Sequence, residues 1–251
     1  MNDRQQKILS ILSNHSFASV GYLSDHFNVS EMTIRRDLRM LEETNAARRV
    51  YGGIVSASDF AKEPIFEQRE ATLVEEKEII AELAAELVED NSVIALDTGS
   101  SALALVQKLT ARKNLTIVTS NIHIIMICLN HPNLKVIVPG GIFRPYEGSL
   151  VGPTTLEALS SYHVDQFFMG VGGIDLEAGV TEYSMEDIAV KRIIEGNARQ
   201  IIALADSSKF GKVTFGFICP LENLNMIVTN KRIPGDFEQI LNRLEVSVIY
   251  P

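Results

Sequence analysis

The last two thirds of the chain alternate short apolar runs with segments of helical periodicity, and this alternation restricts the fold more than any other feature. Strands that are buried on both faces and separated by helices form a mostly parallel sheet. The sequence therefore predicts an α/β domain over residues 72–251. Seven runs have the length of a buried strand: Val93–Leu96, Leu115–Val118, Leu134–Val138, Phe167–Met169, Ile201–Ala205, Met226–Val228 and Val246–Ile249.

Polar or glycine-rich clusters follow five of these runs, namely Asp97–Ser101, Thr119–Asn121, Gly140–Arg144, Gly170–Asp175 and Asp206–Lys209. The carboxyl ends of parallel strands lie along one edge of an open sheet, where ligands bind, so we expect the clusters to converge on one crevice. Each cluster alone is also typical of an ordinary turn. All five together favour a binding site for a small polar ligand.

The first cluster is the best candidate for a phosphate site. Gly99 allows close approach of the backbone, and a helix beginning near Ala102 directs its free N–H groups at an anion. The serine hydroxyls add donors, basic side chains neutralise charge, and carboxylates and amides suit sugar hydroxyls. The predicted ligand-binding residues are Asp97, Thr98, Gly99, Ser100, Ser101, Asn121, Gly141, Arg144, Gly172, Asp175, Glu182, Asp206 and Lys209.

Two features predict how the α/β domain begins. Residues 59–71 contain Pro64 and alternate charged with apolar residues, which predicts a partly ordered linker that packs on another part of the protein. Thr72 and Glu75 have the spacing of a capping box and predict the start of a long amphipathic helix.

Residues 28–41 have the pattern of a turn followed by a helix with two chemically different faces. Ser30 is placed to cap the helix, whose apolar stripe consists of Ile34, Leu38 and Leu41. The other face is polar and basic, as in a helix that lies in a DNA major groove. We therefore expect this helix to contact DNA.

The neighbouring segments complete a helix-turn-helix arrangement. Two further helices are predicted upstream, at Arg4–Asn14 and from Val20 to Phe27, and a short hairpin interrupted by a glycine pair follows Asn45. A basic hairpin directly after a recognition helix is a wing that can reach the DNA backbone or minor groove. The predicted DNA-binding residues are Ser30, Thr33, Arg35, Arg36, Arg39, Arg48, Arg49 and Tyr51.

Charge and cysteine content agree with this division. The chain has a formal charge of -9, yet residues 1–55 contain seven lysines and arginines against six aspartates and glutamates. Only this part would tolerate a phosphate backbone. Cys128 and Cys219 predict buried free thiols in a reducing compartment. With no signal peptide or membrane-length apolar run, we expect a soluble cytoplasmic protein without metal or cofactor.

The N-terminal motif Thr33-Ile34-Arg35-Arg36-Asp37-Leu38, followed by Gly52-Gly53, resembles the DNA-binding domain of the DeoR family of bacterial transcriptional regulators. The resemblance implies a helix-turn-helix at residues 20–39. The residue patterns place the winged domain at residues 3–58 and the linker at residues 59–71. The family often has a histidine before the glycine pair, where this chain has Tyr51.

The strand-end clusters, in their order, are similar to the sugar-sensing domain of the same family, whose fold is related to ribose-5-phosphate isomerase. The resemblance implies a phosphorylated sugar or related metabolite as effector, with its phosphate at Asp97–Ser101 and Lys209 nearby. It implies a transcriptional regulator, most simply a repressor that the effector releases from double-stranded operator DNA. A single small DNA-binding module contacts few base pairs, so we expect a dimer or tetramer.

The alternative is an isomerase-like enzyme with an attached DNA-binding module. Aldose–ketose isomerisation needs a carboxylate base, and Glu182 could supply it. Glu182 could equally be a solvated residue at the start of a helix over Met185–Asn197. The isomerases carry a lysine before their glycine-rich turn, whereas Gly173–Thr181 contains none. We therefore predict no catalytic residue.

Overall fold

A computed structural model describes residues 1–14, 17–44, 46–50, 53–56 and 65–251. Contacts between Cα atoms divide the chain into two compact units. The first unit comprises Met1–Glu63, Gly172–Ser184 and Lys209–Cys219. The second unit comprises Pro64–Val171, Met185–Ser208 and Pro220–Pro251.

The described residues form α-helices in both units. They are α1 (Asp3–Asn14), α2 (Val20–Phe27), α3 (Glu31–Glu43), α4 (Phe66–Ala71), α5 (Val74–Glu86), α6 (Ser100–Lys108), α7 (Ile122–Cys128), α8 (Pro153–Ser160), α9 (Met185–Glu195) and α10 (Gly235–Arg243). Two 3₁₀ turns lie at Ser207–Lys209 and Leu221–Asn223. Within these residues no helix is long and apolar enough to cross a membrane.

Within the described part of the chain, the strands form one large sheet and three small ones. They are β1 (Phe17–Ser19), β2 (Ala47–Val50), β3 (Gly53–Ser56), β4 (Val93–Leu96), β5 (Leu115–Val118), β6 (Leu134–Ile137), β7 (Ile142–Arg144), β8 (Ser149–Val151), β9 (Val164–Gly170), β10 (Gly173–Asp175), β11 (Gly179–Glu182), β12 (Ala198–Leu204), β13 (Gly216–Cys219), β14 (Met226–Val228) and β15 (Ser247–Ile249).

In the first unit, α1, α2 and α3 pack with an antiparallel sheet of order β1-β3-β2. Their apolar faces meet in a core in which Ile8, Leu23, Ile34 and Leu38 are fully buried. The predicted helices, turn and hairpin are confirmed. Between α1 and α2 lies strand β1, which pairs with β3. The sequence pattern does not indicate this strand, because three residues are too few for a periodic signal.

The first unit also contains an antiparallel sheet of order β10-β11-β13. The prediction that Gly170–Asp175 is a loop at the end of a parallel strand was wrong in part, because Gly173–Asp175 is itself strand β10. Strand β10 begins with Gly173, where a larger residue would not fit. A Cβ at this position would lie 2.1 Å from the carbonyl oxygen of Lys212. Polar and glycine residues thus occur inside a strand where the sequence pattern favours a turn.

The second unit is built on a parallel sheet of order β15-β14-β12-β9-β4-β5-β6. All seven predicted apolar runs are strands of this sheet, with ends shifted by three residues at most. Helices α5, α6 and α7 contribute apolar side chains to one core, in which Ile80, Leu105 and Phe168 have no exposed surface. The predicted α/β class with an N-terminal winged helix-turn-helix is confirmed.

The first residues of the second unit differ from the sequence prediction. Helix α5 begins after Leu73 with no side-chain cap, so Thr72 and Glu75 do not form a capping box. The Thr72 hydroxyl instead donates to the carbonyl of Arg69 at the end of α4, 3.2 Å away. Part of the predicted linker is helix α4, with Phe66 buried, whereas residues 59–64 lie outside the described part of the chain.

Candidate DNA-binding surface and effector site

The turn before α3 is held by local hydrogen bonds. Asn28 ends α2 in the left-handed conformation, with φ of 51°, which asparagine tolerates better than most residues. The Ser30 hydroxyl accepts from the Thr33 amide at 3.3 Å, and its oxygen lies 3.0 Å from the Thr33 hydroxyl oxygen. Ser30 is therefore the helix cap that the sequence predicts, and its hydroxyl is already engaged within the helix.

Helix α3 presents a basic face opposite its buried stripe. Ile34, Leu38 and Leu41 have no exposed surface, whereas Arg36 and Arg39 are exposed. The stripe and the two arginines lie on opposite sides of a helix with 3.6 residues per turn. The exposed arginines are thus available to bases or phosphates.

Arg35 is also exposed, but its guanidinium donates to the Glu31 carboxylate at 3.1 Å. An exposed pair four residues apart on a helix stabilises it little, so this pair can exchange for a phosphate contact. In the hairpin, Arg48 and Arg49 lie on β2, and the Arg49 side chain is exposed. The side chain of Arg48 and all of Tyr51 lie outside the described residues.

Asp37 joins α3 to the N-terminal segment, a role that the sequence reasoning missed. Its carboxylate is buried and accepts from Arg4 Nε at 2.6 Å, Gln5 Nε2 at 3.1 Å and Asn2 Nδ2 at 3.3 Å. Burial alone would raise the pKa of Asp37, but these donors outweigh it and lower the pKa below its ordinary value. In the sequence, Asp37 lies among the apolar positions of α3, and a charged residue at such a position indicates a buried ion pair.

Asp97 follows β4 and is buried in an ion pair within the second unit. Its carboxylate lies 2.7 Å from Lys191 Nζ and accepts from the Gly170 amide at 2.8 Å. Lys191 also donates to the Gly170 carbonyl at 2.6 Å. Asp97 thus joins the ends of β4 and β9, and Lys191 brings a positive charge that the sequence reasoning missed. The signal was a lysine in line with the buried Ile188 and Ile194 of α9.

The N-terminus of α6 begins in the same loop. Gly99 is its N-cap and provides no side-chain hydrogen bond, although the first amides of a helix have no partner within it. Thr98 and Ser100 are buried, and Ser101 is half-buried. The helix is nine residues long, so these amides and its dipole favour an anion at this end.

Asn121 connects this loop to the next one along the sheet. It is fully buried and caps α7 by accepting from the amides of His123 at 2.8 Å and Ile124 at 3.4 Å. Its amide group donates to the Thr98 carbonyl at 2.9 Å. Asn121 therefore fixes the Thr98 backbone. This is a structural role in addition to the sugar contact that the sequence predicts.

The other predicted residues of the second unit also have contacts within that unit. Gly141 has φ of 149°, and a Cβ there would lie 2.0 Å from the Thr155 hydroxyl, so only glycine fits. Asp206 follows β12 and accepts from the Ser208 amide at 2.9 Å. Arg144, which the sequence predicts to bind the ligand, forms an ion pair with the buried Asp187. The Asp187 carboxylate therefore already neutralises the positive charge of Arg144.

Four predicted residues belong to the first unit. A Cβ at Gly172 would lie 2.8 Å from the Thr214 hydroxyl, and Asp175 closes a turn by accepting from the amides of Glu177 and Ala178, each at 2.9 Å. Lys209 ends a 3₁₀ turn. Glu182 ends β11 and is buried, so its interpretation as a solvated residue at the start of a helix was wrong.

Helix α4 is anchored on the loop between β7 and β8. The Phe66 ring stacks on His123 with centroids 4.1 Å apart, and its amide donates to the Tyr146 carbonyl at 3.2 Å. Arg69 forms an ion pair with the buried Glu147. The segment that precedes α5 is therefore fixed to the loop that also packs on α7.

Family comparisons agree with both parts of this description. A model of the DeoR-like helix-turn-helix domain matches residues 4–60, and a model of the DeoR C-terminal sensor domain matches residues 72–231. The HTH-type transcriptional regulator GolR of Listeria innocua is 34% identical, over 92% of this chain and 91% of its own length. The glycerol-3-phosphate regulon repressor of Escherichia coli K12 is 31% identical, over 95% and 94%.

Among solved structures, a D-ribose-5-phosphate isomerase has 19% identity and a TM-score of 0.41, covering 55% of this chain and 54% of its own. The sensor-domain model alone spans more than half of the chain, and the regulators named above align over more than nine tenths of it. The chain belongs to the DeoR family of DNA-binding transcriptional regulators.

Proposed function

We propose that the protein is a repressor that binds double-stranded operator DNA through α3 and its hairpin. The observation that carries this is the face of α3 opposite its buried stripe, where Arg36 and Arg39 are exposed. Arginine forks match guanine edges and phosphates. Thr33, Arg35, Arg48, Arg49 and Tyr51 remain predicted contacts.

We further propose that a phosphorylated sugar or related small metabolite binds at Asp97–Ser101. The N-terminus of α6 has no side-chain cap, and a phosphate would complete the bonding of its first amides. The glycerol-3-phosphate regulon repressor named above favours a small phosphorylated effector. Asp97 acts here by positioning the loop, because Lys191 and the Gly170 amide already occupy its carboxylate.

A chain of direct contacts supports a route from this site to the linker. The Thr98 carbonyl accepts from Asn121, and the amide of Ile122, the next residue, donates to the Gly148 carbonyl at 2.7 Å. Gly148 packs on the His123 ring, which stacks on Phe66 of α4. Because α4 forms the second half of the predicted linker, a ligand that moves the Thr98 loop changes the support of that linker.

The effector proposal is tested by competition. A duplex enriched by the full chain from a randomised pool is titrated with glycerol 3-phosphate, ribose 5-phosphate and inorganic phosphate at fixed salt. We expect one phosphorylated sugar to bind and to weaken operator binding, and by linkage the operator weakens ligand binding equally. Ligand binding without a change in operator affinity would refute the regulation.

Charge at the N-terminus of α6 tests the location of the site. Ser101→Asp places a carboxylate where we expect the phosphate, so it should abolish effector binding while operator binding persists. Gln107→Glu is the matched control, because it adds the same charge near the other end of α6. Equal effector affinity in both variants would place the phosphate elsewhere.

Two further expectations accompany this proposal. The protein self-associates as a dimer or tetramer, which sedimentation velocity measures directly, and a monomer on operator DNA would contradict this expectation.

The protein does not turn over ribose 5-phosphate, which a coupled isomerase assay tests. Turnover that is lost in Glu182→Gln would instead support the isomerase-like alternative.

A further inference from the structure

Met32 is the most exposed large apolar side chain among the described residues, with 80% of its surface accessible. It is the second residue of α3, between Glu31 and Thr33. Leaving a methionine in water forgoes the free energy that its burial would provide. A single exposed apolar side chain is ordinary on a protein surface, so what distinguishes Met32 is its position on α3.

The register of α3 places Met32 at the centre of the basic face. Residues four and seven positions later on a helix share a side with the first, and in α3 these are Arg36 and Arg39. The buried stripe of Ile34, Leu38 and Leu41 lies on the opposite side. A recognition helix contacts base edges mainly through its N-terminal residues, and Met32 is one of them.

The chemistry of the Met32 side chain determines which group on DNA it can contact. Methionine carries no charge, donates no hydrogen bond and accepts only weakly through sulfur. In the major groove the apolar group on a base edge is the C5 methyl of thymine. We infer that Met32 contacts a thymine methyl in the operator and so contributes to sequence selection beside the arginines.

This contact depends on the operator binding proposed above, and the flexible thioether chain suits it. Its three rotatable bonds let the terminal methyl adapt to the groove without moving the helix. Met40 on the same helix is the natural comparison. It is 48% exposed, and its sulfur lies 3.5 Å from Gln5 Nε2, so it packs against α1 near the opposite end of α3.

The test removes the methyl group from DNA rather than from the protein. The full chain first enriches a duplex from a randomised pool, and each thymine of that duplex is then replaced singly by deoxyuridine, which keeps the base pair and loses only the methyl. Affinity is measured at fixed salt. Removing the contacted methyl should weaken binding about fourfold, the value of one buried methylene expressed as an equilibrium ratio.

Protein variants identify the side chain that detects the methyl. In Met32→Ala the same replacement should have no further effect, whereas Met32→Leu should retain most of it and Met40→Ala all of it. Because Met32 is exposed, its variants should unfold at the wild-type temperature. A methyl effect of equal size in wild type and Met32→Ala, or no methyl effect at any thymine, would overturn the contact. Failure of the chain to enrich any duplex would instead refute operator binding itself.

Discussion

Helix α3 and the carboxyl edge of the parallel sheet use their polar residues in opposite ways. On α3, Arg36 and Arg39 point away from a fully buried stripe and are exposed. At the sheet edge, Asp97, Asn121 and Asp206 are buried and hydrogen-bonded to their own chain. Polar residues of similar appearance in the sequence are thus exposed to a possible partner in one region and hold loops in place in the other.

This difference predicts where free energy is lost when a residue is changed. Removing an outward arginine costs binding and leaves folding unchanged. Removing one member of a buried pair costs stability, because the remaining group is desolvated without a partner. Unfolding and DNA binding measured on the same variants therefore test the comparison directly.

Lys191→Met should show the largest effect. It leaves the buried Asp97 carboxylate without its ion pair, and breaking a buried pair from one side costs about 3–5 kcal/mol. Urea unfolding of the full chain, followed by far-UV circular dichroism, measures the loss. Unchanged stability would show that the buried polar residues of the sheet edge contribute no more to the free energy of unfolding than the exposed arginines of α3 do.

Two controls accompany that experiment. Lys108→Met removes an exposed lysine that pairs with Glu78 and Glu82, and it should change stability little. The double variant Asp97→Leu/Lys191→Met removes both charges and should recover much of the lost stability. Failure of the double variant to recover would show that the hydrogen bonds of Asp97 and Lys191 to Gly170, rather than their ion pair, account for most of the lost stability.

Features that depend on local periodicity could be predicted from the sequence. The seven parallel strands are short apolar runs, and the two faces of α3 repeat with the helical period, so each is visible within a few residues. Ser30 as a cap is equally local. These signals were sufficient for the fold class and for the exposed arginines.

Features that depend on pairing between distant residues could not be predicted in this way. Asp37 meets Arg4, and Asp97 meets Lys191, only after the chain has folded. The strand at Gly173–Asp175 looks like a turn, because its residue types are those of turns and its partners lie elsewhere in the chain. At the sheet edge the sequence identifies the loops, but not which of their side chains are already engaged.

Asp37→Asn tests the one buried charge of α3. At neutral pH the change should lower the free energy of unfolding by about 1.5–3 kcal/mol, since hydrogen bonds to a charged acceptor are lost. The folded pKa of Asp37 is lowered, so the wild-type advantage exists above the unfolded pKa and disappears as pH falls through the folded value. The two proteins should begin to converge below about pH 4, the ordinary pKa of an aspartate in an unfolded chain.

Urea unfolding across pH 3–7 measures this convergence. Asp25→Asn, an exposed aspartate of α2, is the control and should follow the wild type at every pH. A constant difference between wild type and Asp37→Asn down to the lowest pH would contradict a charged role for Asp37.

Arg36→Ala should separate binding from folding on α3. If Arg36 contacts a base, the variant weakens operator binding by about 1–3 kcal/mol at fixed salt, with an unchanged unfolding midpoint. Arg199→Ala removes an arginine that is 82% exposed in the second unit and should bind as the wild type does. Wild-type affinity in Arg36→Ala would remove this residue from the DNA-binding surface.

Ser30 gives the smallest effect, and it distinguishes a cap from a DNA contact. Ser30→Ala removes the acceptor for the Thr33 amide and should cost about 1 kcal/mol of stability. Ser30→Asp restores a cap but brings a negative charge towards the phosphates, so stability should return while operator affinity falls. Calorimetry and binding at fixed salt measure the two quantities. If Ser30→Asp restores both, the serine acts only as a cap and the DNA-binding surface of α3 begins after it.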